Sequence, residues 1–273
     1  MKHATLAGYM AADLTMANKA LLTAWDCLPR FHEDMVLIGG LAIVHLTKSP
    51  SEGLPGPVTL DVDFGISIGT SGGIYDSIRT TLSGHGFQWV GGRFLRKFAD
   101  FEMHIDLLTD DGSGAKGTVV VDEGLQVSLT PGVNRALTCN RTMAIEGPNL
   151  VGAIRSHRVR IAEIGPMLVL KLNAFASRRA PKDAHDILYL GMNYLDGTEK
   201  ALESFRAEKS AGNPGLPISL ECLRKEFAAV DSNGPLSCAA FRLNDLHLTP
   251  AFREESRRIQ EQCVTLAQEL LRD

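Results

Sequence analysis

An α+β fold is predicted for this chain: a small mixed β-sheet with helices on one face, followed by a helical C-terminal domain. Two observations carry the expectation. Strand-like and helix-like segments alternate through the first part of the chain, whereas from about Gly165 only helical periodicities remain. A length of 273 residues, 44% of them hydrophobic, can bury one large core or two smaller ones. The two domains are expected at residues 1–160 and 161–273.

Residues 11–29 place Leu14, Ala17, Leu21, Leu22 and Trp25 at helical spacing, which predicts an amphipathic helix. Residues 35–38 read as a short buried strand, and Gly39-Gly40 turns the chain into an apolar helix over 41–46. Residues 48–57, crowded with Pro, Gly and Ser, form a loop. The segment 60–66 returns as a strand, 69–73 is a turn and 74–82 is helical. Strands at 87–90, 94–98 and 102–108 follow, joined by short turns. Residues 109–118 are polar and glycine-rich, and 119–121, 125–129 and 138–145 are short strands. Helices at 167–177, 182–195, 198–207, 220–230 and 250–271 fill the remainder.

Composition excludes several classes of function. No apolar run approaches the roughly 18–20 residues that a bilayer span needs, so no membrane partner is expected. Met1-Lys2-His3 does not open a secretory signal. Cys27, Cys139, Cys222, Cys238 and Cys263 are scattered, odd in number and without a CxxC pair. That argues against a disulfide framework or a structural zinc site, and for a reducing, cytoplasmic setting. No cysteine has a histidine arrangement that points to nucleophilic catalysis. The net charge of −4 gives no global attraction to nucleic acid, so such a partner would need a local basic patch.

Chemistry enters with three carboxylates. Asp61 and Asp63 are two apart on a predicted strand and project from one face, with Leu60, Val62 and Phe64 on the other. The same alternation sends Met103, Ile105 and Leu107 inward and Glu102, His104 and Asp106 the opposite way. If the two strands are neighbours, Asp106 comes beside the Asp61/Asp63 pair. Three ionised carboxylates that close repel strongly unless a divalent cation sits among them. Mg²⁺ is the natural candidate, because it takes carboxylate oxygens and completes its shell with phosphate and water. Two such ions can stabilise the attacking and leaving oxygens of a nucleotidyl displacement. The bland alternative is that a DxD at a strand end only faces solvent. Gly39-Gly40 weighs against it, since a Gly-Gly turn after a buried strand lets backbone and helix N-terminal amides approach a phosphate.

Gly39-Gly40, then Thr59-Leu60-Asp61-Val62-Asp63-Phe64, then His104-Ile105-Asp106-Leu107-Leu108 resembles the polymerase-beta-like nucleotidyltransferase superfamily. Within it, the chain is most similar to the abortive-infection AbiEii/AbiGii nucleotidyltransferase toxins. Lys171, Arg178, Lys182, Asp183 and Asp186 match that branch's K-x6-R-x3-K-D-x2-D segment without a gap. The resemblance covers roughly residues 35–195. It implies a nucleotidyltransferase fold and the transfer of a nucleotidyl group from a nucleoside triphosphate to a hydroxyl, with Mg²⁺ and two ions. Asp61 and Asp63 would bind the metals, and Asp106 would complete the site and help activate the acceptor. Gly40, with Gly39 and Thr59, would lie beside the triphosphate. Lys171 would contact phosphate, and Lys182, Asp183 and Asp186 would fall near the catalytic centre. The acceptor would be tRNA or a protein side chain, and the chain the toxin paired with a cognate antitoxin. Two departures stand out. Twenty residues separate Gly40 from Asp61, and Val58 and Thr59 replace the basic residue often found just before the DxD.

Read from the residues alone, Lys171 and Arg178 are seven apart on one helix stripe while Leu168, Leu172 and Phe175 can face a core. With Arg179 and Lys182 they form a basic cluster suited to phosphate. Pro181 suits the first position of a helix, and Asp183 its first turn, where the helix dipole favours an acid. The clusters Arg93/Arg96/Lys97 and Arg155/His157/Arg158/Arg160 could line a nucleic-acid path or simply alternate along exposed strands. His45 reads as packing, His104 and His185 as satisfied histidines or substrate contacts. Two further readings stay open: nucleotidylation of a small, aminoglycoside-like molecule, and a nucleotide-binding or partner-binding module that no longer reacts.

Overall fold

The computed structural model shows a mixed α/β architecture organised on a mixed sheet, and it describes residues 5–9, 11–48, 56, 59, 61–67, 74–98, 101–122, 125–243 and 249–272. Most of the expected loop over 48–57 and the expected turn over 69–73 lie outside the described residues. Tertiary contacts divide the chain into two units. A sheet unit holds Ala11–Ala42 and Thr59–Glu163, and a helical unit holds Met1–Met10, Ile43–Val58 and Ile164–Asp273.

The sheet unit begins with helix α1 (Ala11–Cys27), which buries Ala17, Ala20, Leu21 and Ala24 along one stripe. A 3-10 segment leads into strand β1 (Met35–Ile38), all four residues of which are buried. Such continuous burial is what a strand covered on both faces requires. Helix α2 (Gly39–Leu46) starts at the glycine pair itself rather than after it. Strand β2 (Asp61–Ile66), helix α3 (Ile74–Gly84) and strands β3 (Gln88–Val90), β4 (Arg93–Phe98) and β5 (Phe101–Thr109) follow. The unit closes with the hairpin β6 (Gly117–Asp122) and β7 (Leu125–Leu129), helix α4 (Val133–Thr138), and the long hairpin β8 (Asn140–Pro148) and β9 (Ile154–Ala162).

Among the described residues the sheet has nine strands, in the order β3-β4-β5-β2-β1-β9-β8, with β7 joined to β5 and β6 to β7. It is larger than the small sheet the sequence predicts, chiefly because of β9. Only Val159, Ile161 and Ala162 of that strand are buried, and its arginines and histidine mask the apolar alternation. The expectation of helices on one face also needs correction. Trp25 of α1 packs on Phe64 with ring centroids 5.9 Å apart. Gly65, next along β2, points the other way, where an added Cβ would fall 2.9 Å from Val133 of α4. Helices therefore cover both faces.

Register is fixed by burial and by one side chain. Val62, Phe64 and Ile66 of β2 and Met103, Ile105 and Leu107 of β5 are all almost fully buried. The Thr109 hydroxyl, at the end of β5, donates to the Ile66 carbonyl at 2.9 Å. A slip of β5 by one residue would turn Met103, Ile105 and Leu107 to the opposite face.

The helical unit contains α5 (Ile164–Arg178), α6 (Pro181–Asn193), α7 (Thr198–Ser210), α8 (Leu216–Glu226), α9 (Asn233–Leu243) and α10 (Pro250–Leu271). Arg179, at φ +48, ends α5 in the left-handed region. Pro181 then opens α6, where its missing N–H is harmless. Thr249 caps α10 by accepting from the Phe252 amide at 3.2 Å. Helix α9 is not foreseen from the sequence, because Gly234-Pro235 at its start reads as a turn and Ser237, Cys238, Ala239 and Ala240 give little apolar contrast. Among the described residues no helix is long and apolar enough to cross a membrane.

Candidate functional site

Strands β2 and β5 are parallel neighbours, so the alternation that buries Val62 and Ile105 puts Asp61, Asp63, His104 and Asp106 on the other face together. Asp63 stands directly opposite Asp106, and Asp61 opposite His104. On the β1 side the wall is apolar, with Ile38 paired to Asp63 and Val36 to Gly65. On the β4 side it is basic.

The basic group is Arg93, one residue before the Phe94–Ile105 pair of β4 and β5. Its Nε donates to Asp106 Oδ1 at 2.8 Å, and one terminal nitrogen donates to Asp106 Oδ2. The same nitrogen lies 3.7 Å from Asp61 Oδ2. The hydrogen bonds to Asp106 push the Arg93 pKa up against the opposing effect of burial, and the charges of Asp106, Asp61 and Asp63 add to the rise. A guanidinium thus relieves part of the repulsion that the sequence reading assigned to a metal ion. Among the described residues no three or more His, Cys, Asp or Glu side chains are arranged as a ready metal shell. The donor chemistry and shared face of Asp61, Asp63 and Asp106 suit a hard cation. Arg93 is the group such an ion would meet first.

Gly39 ties the glycine pair to the carboxylates. Its φ of +74 is one that L side chains rarely adopt, and an added Cβ would fall 2.0 Å from Asp63 Oδ2. Glycine is required here twice over, by conformation and by close approach. Gly40 is buried in the first turn of α2. The buried Thr59 hydroxyl bonds locally, donating to the Asp61 carbonyl at 3.2 Å and accepting from its amide at 3.4 Å. His104 Nε2 is 3.0 Å from Glu102 Oε1, while its buried Nδ1 has no hydrogen-bond partner among the described residues.

Lys171, Arg178, Lys182, Asp183 and Asp186 meet within the helical unit. Lys171 Nζ and Lys182 Nζ each lie 2.7 Å from Asp186 Oδ2, and Lys171 Nζ is 3.7 Å from Asp183 Oδ1. Arg178 grips Asp183 through two hydrogen bonds of 2.6 and 2.7 Å. Asp183 and Asp186 are buried, and burial alone would raise their pKa values. The charges of Lys171 and Lys182 outweigh it at Asp186, and Lys171 with Arg178 outweighs it at Asp183, so both carboxyls titrate below their ordinary range. Burial also works against charge on the two lysines. The charges of Asp186 and Asp183 overcome it at Lys171, whose pKa rises, but not at Lys182, whose pKa falls. The block that reads as a basic cluster is therefore a mixed-charge network.

Two other groupings differ from their sequence reading. His185, Cys238 and Cys263 are almost wholly buried, and a hydrogen bond from the Cys263 thiol, with His185 and Arg242 nearby, pulls the Cys238 pKa down to about 6 against burial. Sequence spacing gives no hint of this cluster, because three helices supply it. In the β8–β9 hairpin, Arg155 and His157 both bond Asp26 of α1, at 2.9 and 2.8 Å, which ties part of that basic run to an acid. No protein-family model matches the chain, and comparison with curated proteins finds no similar one.

Proposed function

We propose that the chain is a nucleotidyltransferase, moving a nucleotidyl group from a nucleoside triphosphate to a hydroxyl acceptor. The acceptor would be tRNA or a protein side chain, and the chain the toxin of a toxin–antitoxin pair, as in the branch it resembles. The observation that supports this best is Asp63 set directly opposite Asp106, with Asp61 on the same strand face and the Gly39 backbone against Asp63.

Asp61, Asp63 and Asp106 are the residues that would hold Mg²⁺. When bound, the ion would neutralise phosphate charge and stabilise the attacking and leaving oxygens. An acceptor would approach away from the β1 side, where Ile38 and Val36 line the same face. Asp106 can accept the proton of an attacking hydroxyl once its oxygens are released from Arg93. Gly39 and Gly40 bring the first turn of α2 to this edge of the sheet. Lys171, Arg178, Lys182, Asp183 and Asp186 take nucleotide-contacting and catalytic roles only by resemblance, and the proposal does not depend on them.

A second reading, nucleotide or partner binding without transfer, draws on Arg93, which already occupies Asp106. Incubation with each labelled triphosphate, followed by mass spectrometry of RNA and protein, separates the two. Transfer is expected from the wild-type chain and none from Asp61→Asn, with an unchanged circular dichroism spectrum. Transfer retained by Asp61→Asn overturns the assignment. Thermal stabilisation by triphosphate and Mg²⁺ without any labelled product favours the second reading.

A further inference from the structure

We infer that Arg93 is an exchangeable counter-cation: it holds Asp106 and Asp61 until a divalent ion takes those oxygens, and is then free to bind the phosphates of the nucleotide. This rests on the reading of Asp61, Asp63 and Asp106 as the ion site. Three observations carry it. Arg93 uses a two-pronged grip on Asp106 and reaches to 3.7 Å from Asp61, so it and a metal ion compete for the same atoms. The pair remains open to solvent, with side-chain exposures of 33% for Arg93 and 26% for Asp106, so exchange needs no unfolding. The position just before the DxD, at Val58 and Thr59, supplies no cation. Arg93 reaches the face of the same carboxylates from a different strand.

The chemistry of the fork supports both states. A guanidinium presents paired N–H donors whose spacing matches carboxylate and phosphate alike. Losing Asp106 to a divalent ion would leave Arg93 unpaired at the edge of a site that now attracts anions. Reverting to Asp106 would keep the aspartates from repelling one another in the empty state. A purely structural arginine would stabilise the same strands but would have no reason to affect metal and phosphate in opposite directions.

That opposition is the test. Mn²⁺ binding to the full chain is measured without nucleotide, from the electron paramagnetic resonance signal of the free ion, for wild type, Arg93→Met, Arg93→Lys and Asp61→Asn. Binding of inorganic triphosphate in saturating Mn²⁺ is then measured by calorimetry. Arg93→Met should bind Mn²⁺ about tenfold more tightly, the worth of one partly exposed ion pair, and triphosphate about tenfold more weakly. Arg93→Lys, which keeps the charge without the fork and gives a second variant if Arg93→Met misfolds, should shift both in the same senses by less. Mn²⁺ affinity that is unchanged or lower in the Arg93 variants, or triphosphate affinity that does not fall, overturns the inference. If Asp61→Asn still abolishes Mn²⁺ binding in that case, the ion site itself stands. Mn²⁺ binding indifferent to Asp61 sinks the underlying reading as well.

Discussion

In the sheet unit Asp61 and Asp106 share one arginine, with Asp63 on the same strand face, and the Arg93–Asp106 pair is partly open to solvent. In the helical unit two aspartates share Lys171, Lys182 and Arg178, and both carboxyls are buried. In the first arrangement one cation serves two carboxylates at a place that solvent can reach. In the second each carboxylate is matched by at least one cation, and both carboxylates are shut away from solvent. An ion pair open to solvent can exchange partners, whereas charge compensated in the interior is costly to disturb.

The contrast can be broken most directly at Asp186. Its replacement by Ala leaves the Lys171 and Lys182 ammonium groups without their shared partner in the interior. A buried charge stripped of its partner costs about 3–5 kcal/mol, to be read as the drop in unfolding free energy in denaturant. A loss below about 1 kcal/mol would mean that the network does not stabilise the helices. A smaller effect is expected at Gly39. Gly39→Ala should cost about 2 kcal/mol, from left-handed backbone strain and collision with Asp63. In an Asp63→Ala background about half that cost should vanish, and an undiminished cost would show that Asp63 is not what the glycine accommodates. The smallest effect belongs to Arg178, which is half exposed. Arg178→Ala should cost about 1 kcal/mol, since Lys171 still faces Asp183. A loss as large as that of Asp186→Ala would place Arg178 at the centre of the network instead.

Much of the sheet is legible in the sequence, because the rule that buries Val62, Phe64, Met103 and Ile105 also fixes where Asp61, Asp63 and Asp106 point. Neighbouring strands needed only to be paired in parallel for those aspartates to meet. What escaped reading depended on partners remote in sequence. Arg93 appears in the sequence as one member of a basic trio with Arg96 and Lys97, yet alternation along β4 turns Arg96 to the opposite face, and Lys97, on the Arg93 face, lies 3.8 Å from Glu102 instead. Arg96 lies over the Phe98 ring with 4.3 Å to its centroid, and Lys97 is exposed, so Arg93 alone joins the aspartates. The sense of the second block was missed for a related reason. Lys171 and Arg178 do share a helix stripe, but their charge is answered by α6, and helical spacing within α5 carries no record of what packs against it. Helix α9 escaped because small residues give no periodic contrast.

The bond from the Thr109 hydroxyl to the Ile66 carbonyl has one further consequence. Because side chains alternate, β5 has no intermediate position relative to β2: displaced by a single step, it would offer Ile105 where Asp106 now stands. Threonine at the strand's far end therefore acts as a detent, and the meeting of the three aspartates on one face is an all-or-none outcome of how the two strands are seated.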